Sequence, residues 1–235
     1  MTMTPPPEPL ALLRAAHRRG LLMPVLREAA AELACVAEAR RLGVSADPAA
    51  LQAAADAFRR RHGLHSSEAT RAWLAGRGLS VAGLQEVLEA DTLVEALRAH
   101  LVRELGSVAL ARDPARYERR LLSAVDAASE GEARELLLRM EDEGVDFAAL
   151  PGRRDLGVAC RGELPEGHAA AVFACRQGGV AGPLLSASGW RLYHVEGELP
   201  ADPSGTLLAR DVFGAWVTAR LDESPPAMGW LDGTG

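Results

Sequence analysis

Through the first part of the chain, apolar residues recur every three or four positions, and a Gly closes each run, the pattern of amphipathic helices. Residues 8–19 form the first run and stop at Gly20. A second starts near Leu22, with Pro24 tolerable in its first turn. It carries Val25, Leu26, Ala29, Leu33, Val36 and Ala37 and ends at Gly43. Asp47-Pro48 supplies an N-cap followed by Pro at the first helical position, which predicts a helix over 49–62 ending at Gly63. Ser66 caps a short helix with Ala69, Trp73 and Leu74, and Ser80 caps a longer one. The stripe of that longer helix is Leu84, Val87, Leu88, Val94, Leu97, Leu101 and Leu105. Residues 106–116 read as a linker or a helix continuation interrupted at Asp113-Pro114. Pro5-Pro6-Pro7 cannot donate backbone hydrogen bonds, so residues 1–7 are expected to be disordered.

Beyond that point the pattern shortens. Residues 117–125 contain the apolar pair Leu121-Leu122 and predict a first strand. Ser129 and Glu132 fit a capping box that opens a helix over 133–143, with Leu136, Leu137 and Met140 inward and Gly144 as its stop. A short apolar strand over 156–160 is followed by a helix over 165–175, a Gly178-Gly179 turn, Gly182-Pro183, and a hairpin containing Ser188-Gly189. After Pro200 and Pro203 a helix over 206–221 carries Leu208, Val212, Phe213, Ala215, Trp216 and Ala219, too apolar to stand alone. Residues 224–235 read as a loose tail.

Composition narrows the chemistry. Hydrophobic content of 48% in 235 residues supports a core, and 4% aromatics make it one of Leu, Val and Ala. A net charge of −6 gives no support for a nucleic-acid partner. All 26 basic residues are Arg, and Lys, Ile and Asn are absent, the mark of a GC-rich genome. Without Lys there is no Schiff base and no phosphate-loop Lys. Cys35, Cys160 and Cys175 form no CxxC pair, and an odd count is a poor disulfide framework, which favours a reducing compartment. No signal peptide and no run of ~20 apolar residues is found, so a soluble, cytoplasmic protein without a membrane partner is expected. His62 and His65 read as helix-end residues, not metal ligands, and Arg59-Arg60-Arg61 as cations at a helix C-terminus. Cys160 and Cys175 read as buried thiols, since only His168 lies near enough in sequence to serve as a base. No cofactor is expected.

The order of blocks from Asp155 to Glu196 resembles the second half of a parvulin-type peptidyl-prolyl isomerase. The residues that carry the likeness are Asp155-Leu156-Gly157, Arg161-Gly162-Glu163-Leu164, Ala171-Val172-Phe173, Gly179-Val180-Ala181-Gly182-Pro183 and Ser188-Gly189-Trp190-Arg191-Leu192, with residues 145–150 matching a turn of the same family. The helical part is similar to the N-terminal region of SurA/PrsA-type foldases. It is more narrowly similar to a cytoplasmic subfamily that accompanies ribosomally made, modified peptides. The residues here are Arg18-Arg19-Gly20-Leu21-Leu22, Ala57-Phe58-Arg59, Gly63-Leu64-His65 and Trp73-Leu74-Ala75. The resemblance implies an α+β fold. An all-helical SurA-like domain over 8–105 would be closed by a C-terminal helix over 206–221, and a parvulin-like domain with a small antiparallel sheet and helices would occupy 115–198.

The resemblance also implies where a prolyl site should be, and most of it is missing. The first-strand His belongs near Ser123 or Ala124, but no His occurs between His100 and His168. The Cys/Asp loop is reduced to Pro151-Gly152-Arg153-Arg154. Leu164 matches the Met/Leu position, His168 the Phe position, Ser186 the hairpin hydroxyl and Arg191 the hairpin His. The expected peptide-binding residues are Leu164, His168, Phe173, Ser186, Trp190 and Arg191, with Arg191 offered as a bidentate partner for acidic segments. The implied function is a chaperone-like accessory protein with a degenerate isomerase domain. Its client would be a peptide or unfolded segment, and a peptide-modifying enzyme is the further partner. An active isomerase using Leu164, His168 and Ser186 and a scaffold or dimerisation module remain the alternatives.

Overall fold

The structure, a computed structural model, describes residues 8–226. The expected disorder over 1–7 and the loose tail beyond 226 lie outside the described residues. The chain forms two compact units. One comprises the described residues up to Glu104 together with Val212 onward, and the other spans Leu105–Asp211.

The helical unit is built from α1 (Pro9–Arg18), α2 (Leu22–Arg41), α3 (Pro48–Arg61), α4 (Ser67–Ala75) and most of α5 (Val81–Arg112). Its starts follow from capping chemistry. The Asp47 carboxylate accepts from Ala49 N at 3.0 Å, Ser66 Oγ from Ala69 N at 3.1 Å, and Ser80 Oγ from Gly83 N at 2.9 Å. The inner faces differ from expectation. On α2 the buried residues are Leu22, Cys35 and Ala39, while Val25 and Leu33 are exposed. The apolar stripe read from the sequence is thus rotated toward small residues, which allow closer backbone approach than Leu or Val. On α5, Leu93, Leu97 and Leu101 are buried one turn apart, whereas Val87 and Leu105 stay exposed. Neither α1 nor α3 buries any residue.

In the sheet unit α5 continues unbroken to Arg112 and stops where Asp113 accepts from Arg116 N at 3.2 Å. A 3-10 turn (Pro114–Tyr117) then precedes β1 (Arg119–Ala127), so Tyr117 belongs to the turn and the strand starts later than expected. The order continues with α6 (Glu130–Glu143), β2 (Arg154–Cys160), α7 (Glu166–Ala174), β3 (Val180–Ser186) and β4 (Gly189–Leu199). Ser129 Oγ accepts from Glu132 N at 3.1 Å, and the Glu132 carboxylate accepts from Ala128 N at 2.8 Å. The four strands make an antiparallel sheet in the order β2-β1-β4-β3. The helix α8 (Thr206–Glu223) contributes Asp211 to this unit, where it accepts from Arg116 Nε at 2.6 Å and Tyr117 Oη at 3.1 Å.

Strand alternation separates two cores. Leu122, Ala124, Tyr193 and Val195 meet Val172 and Phe173 of α7. Val125, Ala127 and Leu192 meet Ala133 and Leu136 of α6, with Phe147 and Leu150. Because both faces of β1 and β4 are covered, residues 122–125 are all buried and the strand shows no polar–apolar alternation.

Candidate functional site

On the α7 face, Asp126 of β1 and Arg191 of β4 are directly paired positions. The Arg191 fork meets the Asp126 carboxylate with Nε–Oδ1 at 2.5 Å and Nη2–Oδ2 at 3.0 Å. Arg154 also donates to Asp126, and Ser188 Oγ lies 3.4 Å away. The hydrogen bonds from Arg191 hold the Asp126 carboxyl below the usual carboxylate range, and Asp126 in turn pushes the Arg191 pKa up. The guanidinium of Arg191 lies 5.6 Å from the Tyr193 ring. Tyr193 Oη is 3.0 Å from His168 Nδ1, and His168 Nε2 is 2.8 Å from the Leu185 carbonyl oxygen. A carbonyl only accepts, so Nε2 carries a proton and donates to Leu185. Ser186 Oγ donates to the Gly189 carbonyl at 3.0 Å.

The hairpin that holds these groups depends on Gly189. Its φ is +122°, and a Cβ there would lie 2.5 Å from the Ala127 carbonyl oxygen. Only Gly permits both the backbone angle and the close approach to β1.

The structure gathers Leu164, His168, Phe173, Ser186 and Arg191 on one face. Leu164 and Phe173 are part of its apolar core, and Phe173 has the guanidinium carbons of Arg120 and Arg161 at 5.0 and 5.2 Å. Trp190 does not join them. It packs against the Val125–Leu192 core on the α6 face, because residues 190 and 191 are neighbours on one strand and point to opposite sides. A second correction concerns Arg191. The fork expected to grip an acidic peptide is already engaged by Asp126, so it is a sheet-pairing cation and no free handle. Ser186 and His168 are likewise engaged. Sequence reasoning missed Asp126, Tyr193 and Arg154. Asp126 was accessible in principle, two positions beyond Ala124 on the same face, but its partner depends on register.

Where a first-strand His was expected, Ser123 and Ala124 are fully buried. Ser123 faces the α6 side and donates to Glu196 Oε1 at 2.6 Å. The same oxygen accepts from Arg153 Nη2 at 3.0 Å and lies 3.1 Å from His194 Nδ1, and His194 stacks on Phe147 at 5.1 Å. Ser123, then His194 and Arg153, lower the Glu196 pKa to about 2. Arg153 lies in the loop before β2, so that loop supplies an ion pair to the sheet.

The helical unit carries an open surface of another kind. Helices α3, α4 and the start of α5 line a groove of about 550 Å³, with Leu51, Phe58, Leu74, Leu84 and Leu88 on its walls. A hollow of about 390 Å³ shares Arg59, Thr70 and Val81 with it and reaches Leu64, His65 and Arg71. Phe58 is also part of an aromatic cluster with His62 at 4.6 Å and Trp73 at 5.3 Å, and Arg77 covers Trp73 at 3.8 Å. His62 is therefore a packing residue of the helix end.

No family model matches the chain, and no curated protein matches it. Among solved structures it is similar to a peptidylprolyl isomerase, PrsA, from Bacillus cereus, at 12% identity and a TM-score of 0.41, covering 91% of this chain and 88% of that one. It is also similar to the foldase protein PrsA from Streptococcus pneumoniae, at 14% identity and a TM-score of 0.37, covering 89% and 86%. A third likeness is to a structure from Campylobacter jejuni, where PEB4 and Cj1289 are described as SurA-like chaperones. There the identity is 13% and the TM-score 0.27, covering 88% and 81%. At these identities none of them assigns a residue role or an activity to this chain.

Proposed function

We propose that the protein is a chaperone-like peptide binder whose parvulin-like domain is degenerate and whose client surface is the groove of the helical unit. The observation that carries this reading is the contrast between the two candidate surfaces. The groove presents half-covered apolar walls, which is the chemistry that seats a peptide's side chains. On the α7 face of the sheet, Asp126, Arg191, Tyr193, His168 and Ser186 are each engaged by one another or by backbone carbonyls. Prolyl isomerisation needs groups free to act on the peptide bond, whose rotation barrier is ~18–20 kcal/mol. A precursor peptide of a modified-peptide pathway, or an enzyme of that pathway, is the client suggested by the sequence resemblance alone.

The test is a titration of the full chain with short labelled peptides, followed by anisotropy, for wild type, Leu84→Asp and Trp190→Ala. Saturable binding that is lost in Leu84→Asp and kept in Trp190→Ala is expected. Binding unaffected by Leu84→Asp removes the groove from the reading, and absence of any saturable binding leaves the scaffold alternative. Exchange NMR on a prolyl peptide addresses the isomerase alternative. The expected rate is the uncatalysed one, with a timescale of tens of seconds at 25 °C.

A further inference from the structure

The groove has two unlike ends. The hollow that extends it is lined by Arg59, His65 and Arg71 together with Ser66 and Ser67. The far end carries Glu89, which lies 3.7 Å from Arg40. Arg59 shares its charge with Asp56 at 2.9 Å. Arg71 contacts only the Ser67 carbonyl, at 3.3 Å through Nε, and like His65 it meets no carboxylate among the described residues. Over residues 57–77 the chain has Arg59, Arg60, Arg61, Arg71 and Arg77 against the single acid Glu68. A protein of net charge −6 thus turns positive at one end of this apolar groove.

We propose that this groove selects acidic amphipathic peptides and seats them in one direction. Apolar side chains lie against Leu51, Phe58, Leu84 and Leu88, and Asp or Glu side chains meet Arg71 and His65. This rests on the groove being the client site and adds the chemical class and polarity of the client. An unpartnered guanidinium beside apolar walls favours a carboxylate over a neutral group, because complementary charge fixes register while burial supplies affinity. At the other end Glu89 is shared with Arg40 at 3.7 Å, which leaves no net positive charge there for a carboxylate, so orientation follows from the charge difference between the ends. Arg191 does not provide this selectivity, because its fork is held by Asp126.

The experiment uses the full chain and three acetylated, amidated peptides in which glutamate side chains are the only carboxylates. The first has apolar residues at helical spacing with glutamates at one end, the second has Gln in place of Glu, and the third reverses the order. Wild type is expected to bind the first peptide about fivefold more tightly than the second, the scale of a few exposed ion pairs. That margin should shrink as salt is raised. Arg71→Gln is expected to bring the first peptide down to the affinity of the second and leave the second unchanged. Leu84→Asp is expected to weaken both. Equal affinity of wild type for the first two peptides overturns the acidic selectivity and leaves peptide binding intact. A loss in Arg71→Gln that is equal for both peptides overturns the role of Arg71. Equal binding of the first and third overturns the polarity. If no peptide binds wild type, the groove reading fails and this inference with it.

Discussion

The two units differ in how they use polar groups. In the sheet unit, Asp126, Arg191, Tyr193 and His168 form a chain of contacts over one face, and Ser123, Arg153, His194 and Glu196 form another on the opposite face. In the helical unit, α3 buries no residue and its neighbours leave an apolar groove open. A face whose polar groups are largely engaged within the protein has little left for a ligand. A surface with half-covered side chains has lower local stability and more to gain from a partner. On the reading proposed above, the sheet unit is the structural one and the helical unit carries the binding surface.

The largest expected effect that tests this contrast is in the sheet core. Leu122→Ala should destabilise the sheet unit by about 3 kcal/mol, because it removes a fully buried side chain between β1 and α7. Denaturant unfolding followed by hydrogen exchange at β1 and β4 amides measures it. Leu84→Ala, on the groove wall, should cost about 1 kcal/mol or less, since its side chain is only partly buried. Equal losses would erase the contrast.

Next in size is Asp126→Ala, which leaves the Arg191 guanidinium half-buried without its partner. A loss of about 1–2 kcal/mol is expected, below that of a fully buried pair because both side chains keep some solvent contact. Asp126→Ala combined with Arg191→Met should recover part of it. A double variant no more stable than the single one would mean that the pair is not what organises this face.

The third effect depends on pH. Glu196 has a folded pKa of about 2, below the ordinary carboxylate value near 4.3. A depressed folded pKa means that the unfolded chain binds the proton more readily. Its stabilising contribution is complete above about pH 4.3 and is lost as pH falls towards 2. Asp126 is shifted the same way and adds to the acid loss. Glu196→Gln should flatten the acid limb of a stability-versus-pH curve in that window. A curve identical to wild type would show that the Ser123–Glu196–His194 group is already broken in solution. The smallest effect is that of Arg60→Gln, next to the groove end but not lining it. A change in peptide affinity of less than about twofold is expected in the same titration, as for a screened surface charge.

The helical unit was readable where its information is local. Asp47-Pro48, Ser66 and Ser80 act on backbone groups within one turn, so they fixed helix starts to within a residue. Ser129 in the sheet unit is the cap as expected, but the helix it opens begins at Glu130, three residues before the expected start. Which face of a helix turns inward is not local, and Leu33 and Val25 were assigned to a core that the fold builds from Cys35 and Ala39. The geometry of the candidate site was legible only in part, for a similar reason. Leu164, His168, Ser186 and Arg191 do share one face, since strand alternation and a short helix bring them there. Trp190 was misplaced because facing depends on parity along β4. Arg191 was misjudged because its partner lies 65 positions away, across a register that only the folded sheet defines. The groove was missed entirely, as it exists only between α3, α4 and α5.

Helix α8 also has a consequence for the order of synthesis. Asp211 near its start accepts from Arg116 and Tyr117, and beyond it Phe213 lies under Arg98 at 4.6 Å while Arg220 approaches Glu38 at 3.8 Å. The two units thus both wait for one late segment. A nascent chain that has emerged only as far as Pro203 holds every strand and every wall of the groove, yet neither unit has its closing contacts. Folding from the leading end, the usual course for successive domains, cannot finish the first unit before the second has been made. Both receive these contacts from the few residues on either side of Asp211, so the closing of one unit is tied to the closing of the other.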